Sequence, residues 1–330
     1  MLRRRHLLTC LPLFAAPRGV SAQFLSGGRP LRLMVPFNPG GAADVLARHY
    51  AEAITSQTGQ QVVVENRGAA NGILAVEAVA RSASDGSTLG VLSVTFFAAL
   101  PFMMDRPPYD PVRDLMPVAR IANSTVLCVV TPERARERGW TDFRSMIEWA
   151  KRPSNRVTTG SARATPSHLI SATIASRSGA DIQHIPYRGG APAVSDFLAG
   201  TIDMIFDAMP QLMPHVAAGR AVPLAVGSRE RSPFFPQVPG MGEFADLNLA
   251  AVDLQSWSAL AGPSSMAPAT VAQLFEGIRK AGEAPGLEDR LKASGLVLSV
   301  SSSPAEVQTQ IQQDTPRWRE MVAASGARLD

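Results

Sequence analysis

The chain has 330 residues, of which 45% are hydrophobic and 18% are charged. This balance is typical of an ordered globular protein with enough chain for about two domains, and it excludes an intrinsically disordered one. The formal net charge is only +4, and the basic side chains are scattered without a patch that alternates with aromatic residues. Composition and charge therefore give no support to nucleic acid as a partner.

Residues 1–22 have the pattern of an export signal. Three arginines at positions 3–5 are followed by an apolar stretch at residues 7–16 and by a small-residue cleavage signal at 20–22. The apolar stretch is too short to span a bilayer as a helix, which takes about 20 residues. We therefore predict cleavage after Ala22 and a periplasmic location, reached by either the Sec or the twin-arginine route.

Short apolar strands alternate with amphipathic helices in the first part of the chain. The pattern predicts strands at 31–35, 62–64 and 89–94 and helices at 43–57 and 72–81. This alternation is typical of a parallel sheet covered by helices. Five prolines then predict an extended surface loop at 101–117, followed by extended segments at 118–121 and 126–130 that are broken at Asn123 and Ser124.

A second α/β block follows the first. Its pattern predicts helices at 141–151, 165–177, 192–199 and 210–218 and strands at 156–159, 182–185, 201–206 and 222–226. Three helical segments are predicted in the tail. Ser303 and Pro304 mark the start of the last one, and Pro316 is expected to kink or end it.

Two turns nearly repeat each other about 150 residues apart. Residues 31–44 and 184–193 each contain a strand, then Pro and an aromatic residue, then Gly-Gly-Ala and the start of a helix. Such a turn points backbone N–H groups and the positive end of a helix at whatever lies above it, which suits an anion. One such turn in each half of the chain predicts a carboxylate held between two lobes.

Three further polar residues are candidates for the same site. Ser161 and Thr165 follow a strand and open a helix, and we leave open whether they only cap that helix or also donate to a carboxylate. Thr95 is placed at the end of the strand at 89–94, where small polar residues often face a cleft.

Motifs for catalysis are missing from the sequence. It contains no nucleophile elbow, zinc-protease motif, CxxC, phosphate-binding loop or dinucleotide fingerprint. The histidines are isolated along the chain and are interpreted as structural, and Asp203 and Asp207 need not converge. Cys128, the only cysteine after signal removal, lies in an apolar run and is interpreted as an inert buried thiol. We expect no catalytic residue, no metal and no cofactor.

The order of these segments resembles one family, the substrate-binding receptors of tripartite tricarboxylate transporters, called the Bug family. The resemblance rests on residues 30–48 with PFNPGGAAD, and on VVVENR (62–67), SDGSTL (84–89), PYDPVRDL (108–115), TPSHL (165–169), PYRGGAPA (186–193), IDMIFD (202–207) and LAV (224–226). It implies the α/β fold of type II periplasmic binding proteins, with two Rossmann-like lobes joined by a hinge. Lobe 1 would comprise residues 23–123 plus 228–330, and lobe 2 residues 124–227.

The resemblance also implies where the ligand binds. With Thr95 added from the strand pattern, the expected ligand-binding residues are Phe37, Gly40, Gly41, Ala42, Asp44, Thr95, Ser161, Thr165, Gly189, Gly190, Ala191 and Asp207. Asp44 is interpreted as a cap of the helix N-terminus, because its charge would repel a carboxylate.

Several positions depart from the family pattern and remove polar groups near the expected cleft. They are Gly68-Ala69, Phe96, Leu100, Ala208 and Gly240. These changes leave the identity of the carboxylate open and favour a monocarboxylate or an aromatic acid.

Taken together, the sequence predicts an exported, non-enzymatic, monomeric receptor. It would capture a small organic carboxylate by closing two lobes on it and deliver it to the permease subunits of a membrane transporter. Two alternatives remain at this point: a sensory receptor that signals to a membrane kinase, and an exported hydrolase or lyase using Asp207 with Ser161 or Thr165.

Overall fold

Two β-sheets, both covered by helices, form the protein. The computed structural model describes residues 29–163 and 165–329, so the predicted signal at 1–22 lies outside the described residues. The strands are β1 Leu31–Val35, β2 Val62–Asn66, β3 Thr88–Ser93, β4 Leu115–Ser124, β5 Val126–Val130, β6 Val157–Ala162, β7 Ile182–Tyr187, β8 Met204–Ala208, β9 Val222–Val226, β10 Ser256–Pro263 and β11 Val297–Leu298. The helices are α1 Ala42–Thr58, α2 Ile73–Ala80, α3 Val94–Ala98, α4 Pro132–Arg138, α5 Phe143–Ala150, α6 Pro166–Ser178, α7 Gly190–Leu198, α8 Met209–Ala217, α9 Pro268–Gly282, α10 Leu287–Ala293 and α11 Pro304–Ser325.

The strand order divides the chain between the sheets. The first sheet has the order β11-β4-β10-β3-β1-β2, and the second has the order β7-β6-β8-β5-β9. β1 lies between β2 and β3 and is parallel to both, and β6 is parallel to β7 and β8. The predicted α/β architecture with two sheets is confirmed.

The chain crosses from one sheet to the other twice, between β4 and β5 and between β9 and β10. The carboxyl ends of the parallel strands in both sheets lie beside these two crossovers. In the first sheet, Ser93 at the end of β3 is opposite Ser258, and Ser256 is opposite Ser124 at the end of β4. In the second sheet, Val126 at the start of β5 is opposite Ala208 at the end of β8. Because β4 continues directly into β5, the two carboxyl edges face each other across this crossover.

The segment between β9 and β10 packs on the second sheet before it returns to the first. The Val226 N–H donates to the carbonyl of Pro239 (2.9 Å), and the Phe244 ring lies 4.8 Å from that of Phe143. The lobe boundaries inferred from sequence stay a prediction, and this packing associates residues near 226–244 with the second sheet.

Helix α11 contacts both halves of the molecule. It packs against α3 and β4 on one side and against α6 on the other, where Glu320 pairs with Arg177. The buried Trp318 anchors it in the core. The predicted start is confirmed, since the Ser303 hydroxyl accepts the Glu306 N–H (3.2 Å). The prediction that Pro316 could end the helix is wrong, because core packing on both sides of the proline continues the helix to Ser325.

Two boundary predictions are corrected by the structure. β4 runs unbroken through Asn123 and Ser124, because β10 and β11 both pair with its end and satisfy its backbone. Thr95 lies in the first turn of α3, not at a strand end, since β3 stops at Ser93.

The proline-rich loop at 101–117 is only partly a surface loop. Its Tyr109 is buried and donates a hydrogen bond from its hydroxyl to the carbonyl of Phe96 (2.8 Å). This anchor ties the loop to the residues after β3.

Helix α4 was not predicted. Six of its seven residues are polar or proline, so it has no apolar period, and Thr131 starts it by accepting the Arg134 N–H (3.2 Å). Cys128 is fully buried in β5, as predicted, and burial raises the pKa of its thiol. Among the described helices, none combines the length and the apolar character needed to cross a bilayer.

Candidate functional site

The residues predicted for the site lie at the facing carboxyl edges of the two sheets. They occupy the ends of strands, the turns and the first helical turns of the connections β1–α1, β3–α3, β6–α6, β7–α7 and β8–α8. Ligands of open α/β sheets bind at this edge, because helix N-termini and turn N–H groups collect there.

Asp44 organises the β1–α1 turn from within. Its carboxylate accepts the Gly40 N–H (2.9 Å), the Asn66 side-chain amide (2.9 Å) and a two-point contact from Arg48 (3.0 Å). Burial raises the pKa of Asp44, but these hydrogen bonds outweigh burial and hold the pKa below its ordinary value. The prediction that Asp44 caps the helix is wrong, because Gly41 is the N-cap residue and Asp44 lies in the first helical turn, from which it accepts the Gly40 N–H.

The same contacts decide which backbone donors remain for a ligand at this turn. The Gly40 N–H is taken by Asp44, and the first intrahelical bond joins the Val45 N–H to the Gly41 carbonyl (3.0 Å). The N–H groups of Gly41, Ala42, Ala43 and Asp44 precede this bond and have no intrahelical acceptor. They are the donors that this turn offers.

The turn rests on the segment after β2. Asn66 donates to the carbonyl of Phe37 (3.1 Å), whose ring lies 5.7 Å from that of Phe96. A Cβ on Gly68 would lie 2.4 Å from the Asn38 side-chain oxygen and 2.8 Å from its backbone nitrogen. Gly68 therefore lets the segment after β2 pack closely on the β1–α1 turn. In the sequence analysis this glycine was noted only as a departure from the family pattern.

We expect Gly68→Ala to displace the β1–α1 turn, because the new methyl group overlaps Asn38. The predicted result is a roughly fivefold loss of ligand affinity and a melting temperature lower by a few degrees. Isothermal calorimetry and thermal melting measure the two effects. The double variant Asn38→Ala/Gly68→Ala should recover part of the loss, and a Gly68→Ala protein with unchanged affinity and stability would contradict the packing argument.

The second glycine turn is packed closely against the end of β8. A Cβ on Gly190 would lie 2.5 Å from the Gln211 side-chain oxygen and 2.6 Å from Oδ2 of Asp207. α7 begins at Gly190, and no side chain caps it. Its first-turn N–H groups are thus left for an external acceptor.

Asp207 lies between the N-termini of α7 and α8. Its Oδ1 accepts the Ala208 N–H (2.7 Å) and a long contact from the Gln211 amide (3.4 Å), while Oδ2 has no hydrogen-bond partner among the described residues. Burial raises the pKa of Asp207 to about 6, and the Ala208 N–H opposes that rise. This is the most perturbed carboxyl group at the edge of the second sheet.

Two histidines that are isolated in the sequence meet beside Ser161. The Ser161 hydroxyl lies 2.8 Å from Nε2 of His184, and the rings of His168 and His184 are 4.1 Å apart. Burial lowers the pKa of His184 to about 4, with a further contribution from His168. The pair is therefore neutral near pH 7. The two histidines are in contact although they are isolated in the sequence, and their interpretation as structural residues stays a prediction.

Thr165 and Thr95 have different surroundings. Thr165 caps α6, as predicted, by accepting the His168 N–H (3.4 Å), and it donates to the carbonyl of Ala162 (2.8 Å). Thr95 is buried, and its hydroxyl has no partner among the described residues.

The predicted residues form two groups, one on each sheet. Phe37 to Asp44 form the first group, to which Thr95 is joined through the contact of Phe96 with Phe37. The second group contains Ser161, Thr165 and the Gly189–Ala191 turn with Asp207. Within the described residues, no hydrogen bond or ion pair joins one group to the other.

One cavity lies apart from both groups. It has a volume of about 370 Å³ and lies at the crossovers, lined by Asn123–Thr125, Met209, Ser228–Phe234, Asp253, Gln255, Gly295 and Val297. It borders the predicted site only through Met209, two residues after Asp207. The described part of the chain contains no group of three metal-ligating side chains.

Sequence comparison assigns this arrangement to a family. The sequence model of the tripartite tricarboxylate transporter family receptor matches residues 46–327. The chain belongs to this receptor family. Its members are solute-binding proteins and not enzymes, so the hydrolase or lyase alternative is dropped.

Relatives and solved structures agree with this membership. The receptor is 31% identical to the protein BugT of Bordetella pertussis over 98% of each chain. It is 30% identical to a solved periplasmic transporter, with a TM-score of 0.81 over 91% of this chain and 98% of that one. It is 26% identical to an R. palustris protein solved with adipate, with the same TM-score and coverage.

Sequence reasoning did not find the residues of this receptor that support the turns. These are Arg48 and Asn66 around Asp44, Gly68 under the first turn, Gln211 at the second, and His184 beside Ser161. The i,i+4 spacing of Asp44 and Arg48 was a usable signal. The other contacts join segments far apart in the chain.

Proposed function

We propose that the protein is an exported periplasmic receptor that captures a small organic carboxylate between its two sheets and delivers it to a tripartite membrane transporter. The observation that carries the proposal is the pair of glycine turns at facing carboxyl edges, each opening a helix whose first N–H groups lack internal acceptors. Backbone donors at helix N-termini suit a carboxylate and require no charged side chain.

The expected ligand-binding residues are the same twelve, of which Asp44 and Asp207 lie beside the two turns and do not contact the carboxylate themselves. Ala42 and Ala191 donate through their N–H groups, Ser161 through its hydroxyl, and the Phe37 ring packs on the apolar part of the ligand. Binding of adipate by the R. palustris relative supports a carboxylate as the ligand class. Closure of lobe 2 (124–227) onto lobe 1 would bring the two groups of residues together on one molecule.

Membership in a transporter receptor family supports membrane permease subunits as the partner. The export pattern at residues 1–22 and the periplasmic relative support the location. We propose that the mature protein begins at Gln23 and is a monomer. Mass spectrometry of the periplasmic protein tests the cleavage site, and light scattering tests the monomer.

A ligand panel tests the function. Calorimetry with benzoate, propionate, succinate, adipate, citrate and aspartate should give at least one dissociation constant of about 10 µM or lower, as expected for a closed two-lobe site. The amides or alcohols of the same compounds should not bind, because they carry no anion for the two turns. A panel without any binding, confirmed by an unchanged melting temperature, would refute the proposal.

A further inference from the structure

We propose that Asp207 is a proton-binding group of the carboxylate site, so that the receptor takes up a proton together with its organic anion. The inference rests on the proposed function, because it needs a carboxylate at the β7–α7 turn. The site would then bind a proton as well as a carboxylate, and carboxylate binding by itself does not require that proton.

The geometry around Asp207 leaves one carboxylate oxygen unsatisfied. Oδ1 accepts the Ala208 N–H, whereas Oδ2 is buried without a partner among the described residues, and Asp207 as a whole has an exposed fraction of 7%. Oδ2 lies directly behind the first residue of α7, since a Cβ on Gly190 would be 2.6 Å away. A buried anionic oxygen without a donor is costly, and a proton on Oδ2 removes that cost.

Among the described residues, no cation compensates the ionised form of Asp207. The elements packed on β8 are β5, β6, α6, α7 and α8, and their titratable or charged side chains, together with the arginine of the β7–α7 turn, are Cys128, His168, Arg177, Asp196, His215 and Arg188. None of these groups contributes to the pKa of Asp207. Asp196 accepts the Tyr187 hydroxyl, His215 contacts Arg220, and Arg177 pairs with Glu320. Arg163, which follows β6, affects the pKa values of His168 and His184 but not that of Asp207.

A carboxylate bound at the β7–α7 turn makes the ionised form of Asp207 still less favourable. An anion held by the first N–H groups of α7 lies about 6 Å from Oδ2, where repulsion between two negative charges raises the proton affinity of Asp207 about a hundredfold. With the pKa of the free receptor at about 6, Asp207 is ionised at neutral pH before binding and protonated after it. By linkage, ligand affinity then rises as the pH falls towards 6 and levels off below it.

The wild-type receptor gives the first test. Benzoate and adipate stay essentially ionised between about pH 6.5 and about pH 8.5, so the pH dependence of their binding reports on the protein. We expect affinity to be roughly tenfold higher at the lower pH. Calorimetry near pH 7.5 in buffers of different ionisation enthalpy should show uptake of about 0.7 proton per ligand.

Asp207→Asn gives the second test, because the amide imitates the protonated acid. The variant should bind with nearly equal affinity across the same pH range and about 75-fold more tightly than wild type near pH 8.5. Its unliganded form should also melt at a higher temperature than wild type at that pH, since no charge is buried. The matched control is Asp181→Asn, at the opposite end of β7 in an exposed pair with Arg156, which should keep the wild-type pH profile.

The outcomes separate this inference from the proposed function. A wild-type affinity that does not change with pH, proton uptake near zero, or an Asp207→Asn variant that binds more weakly at both pH values would each overturn the inference and leave carboxylate binding in place. If Asp207→Asn does not fold, the proton uptake measured on the wild-type receptor decides whether the inference holds. Absence of binding by any carboxylate of the panel would instead remove the function on which the inference rests.

Discussion

Replacing Gly190 by valine is expected to lower carboxylate affinity by about a hundredfold or more. Even the first carbon of a side chain would lie within 2.6 Å of two polar atoms, on Gln211 and Asp207. Asp207 cannot retreat, because it is buried at the end of β8 and accepts the Ala208 N–H. The α7 N-terminus must therefore move out of line with the rest of the site, and misplacement by about 1 Å is enough for a loss of this size.

Calorimetry with the tightest ligand of the panel measures the effect of Gly190→Val. Circular dichroism should show a folded protein, since the change lies at a half-buried turn at the edge of the second sheet and not in a hydrophobic core. Gly190→Ala should lose less affinity, and Gly190→Ala/Gln211→Ala should recover part of that loss, because the glutamine side chain is the more mobile of the two neighbours. Wild-type affinity in Gly190→Val would contradict the assignment of this turn to the site.

Trp257→Ala is expected to lower the free energy of unfolding by about 4 kcal/mol. The Trp257 side chain is 1% exposed, its ring lies 5.7 Å from that of Phe97, and its indole N–H donates to Asp314 (2.7 Å). The substitution leaves a cavity between β10, α3 and α11 and removes a partly buried hydrogen bond. The loss is one of stability, since Trp257 belongs to neither group of predicted ligand-binding residues.

Urea denaturation measures the Trp257→Ala effect. Trp257→Phe should cost only about 1–2 kcal/mol, because it keeps most of the packing and loses the hydrogen bond. The matched control is Trp149→Ala, whose partly exposed ring packs edge-on against Trp140 and should cost less than half as much. Equal losses for Trp257→Ala and Trp149→Ala would contradict the central position given to Trp257.

The features that could be predicted from sequence depend on neighbouring residues. Gly59 ends α1 with a φ of +69°, and Thr165 with Pro166 starts α6, because capping is decided within a few residues. The two Gly-Gly-Ala turns were found for the same reason. Thr95 was assigned to a strand end because a short helix directly after a strand has no separate sequence signal.

The features that were missed depend on distant residues. β4 continues through Asn123 because Trp257 and Val297 are both paired with it, from segments more than 130 residues away. The approach of Gly190 to Asp207 and the contact of His168 with His184 likewise come from tertiary packing in the second lobe, where segments distant in sequence meet. Local pattern places residues on elements, and tertiary packing decides which of those elements meet.

The path of α11 restricts how this receptor can change shape. One continuous helix lies on the first sheet and also on α6 of the second, and Arg177 of α6 both pairs with Glu320 and accepts a hydrogen bond at its carbonyl from Asn248. Rotation about the crossovers alone would separate these surfaces, so the proposed closure of the two sheets requires α6 to slide along α11. We therefore expect the closure to combine shear with rotation, with an amplitude set by how far two packed helices slide before their side chains must repack.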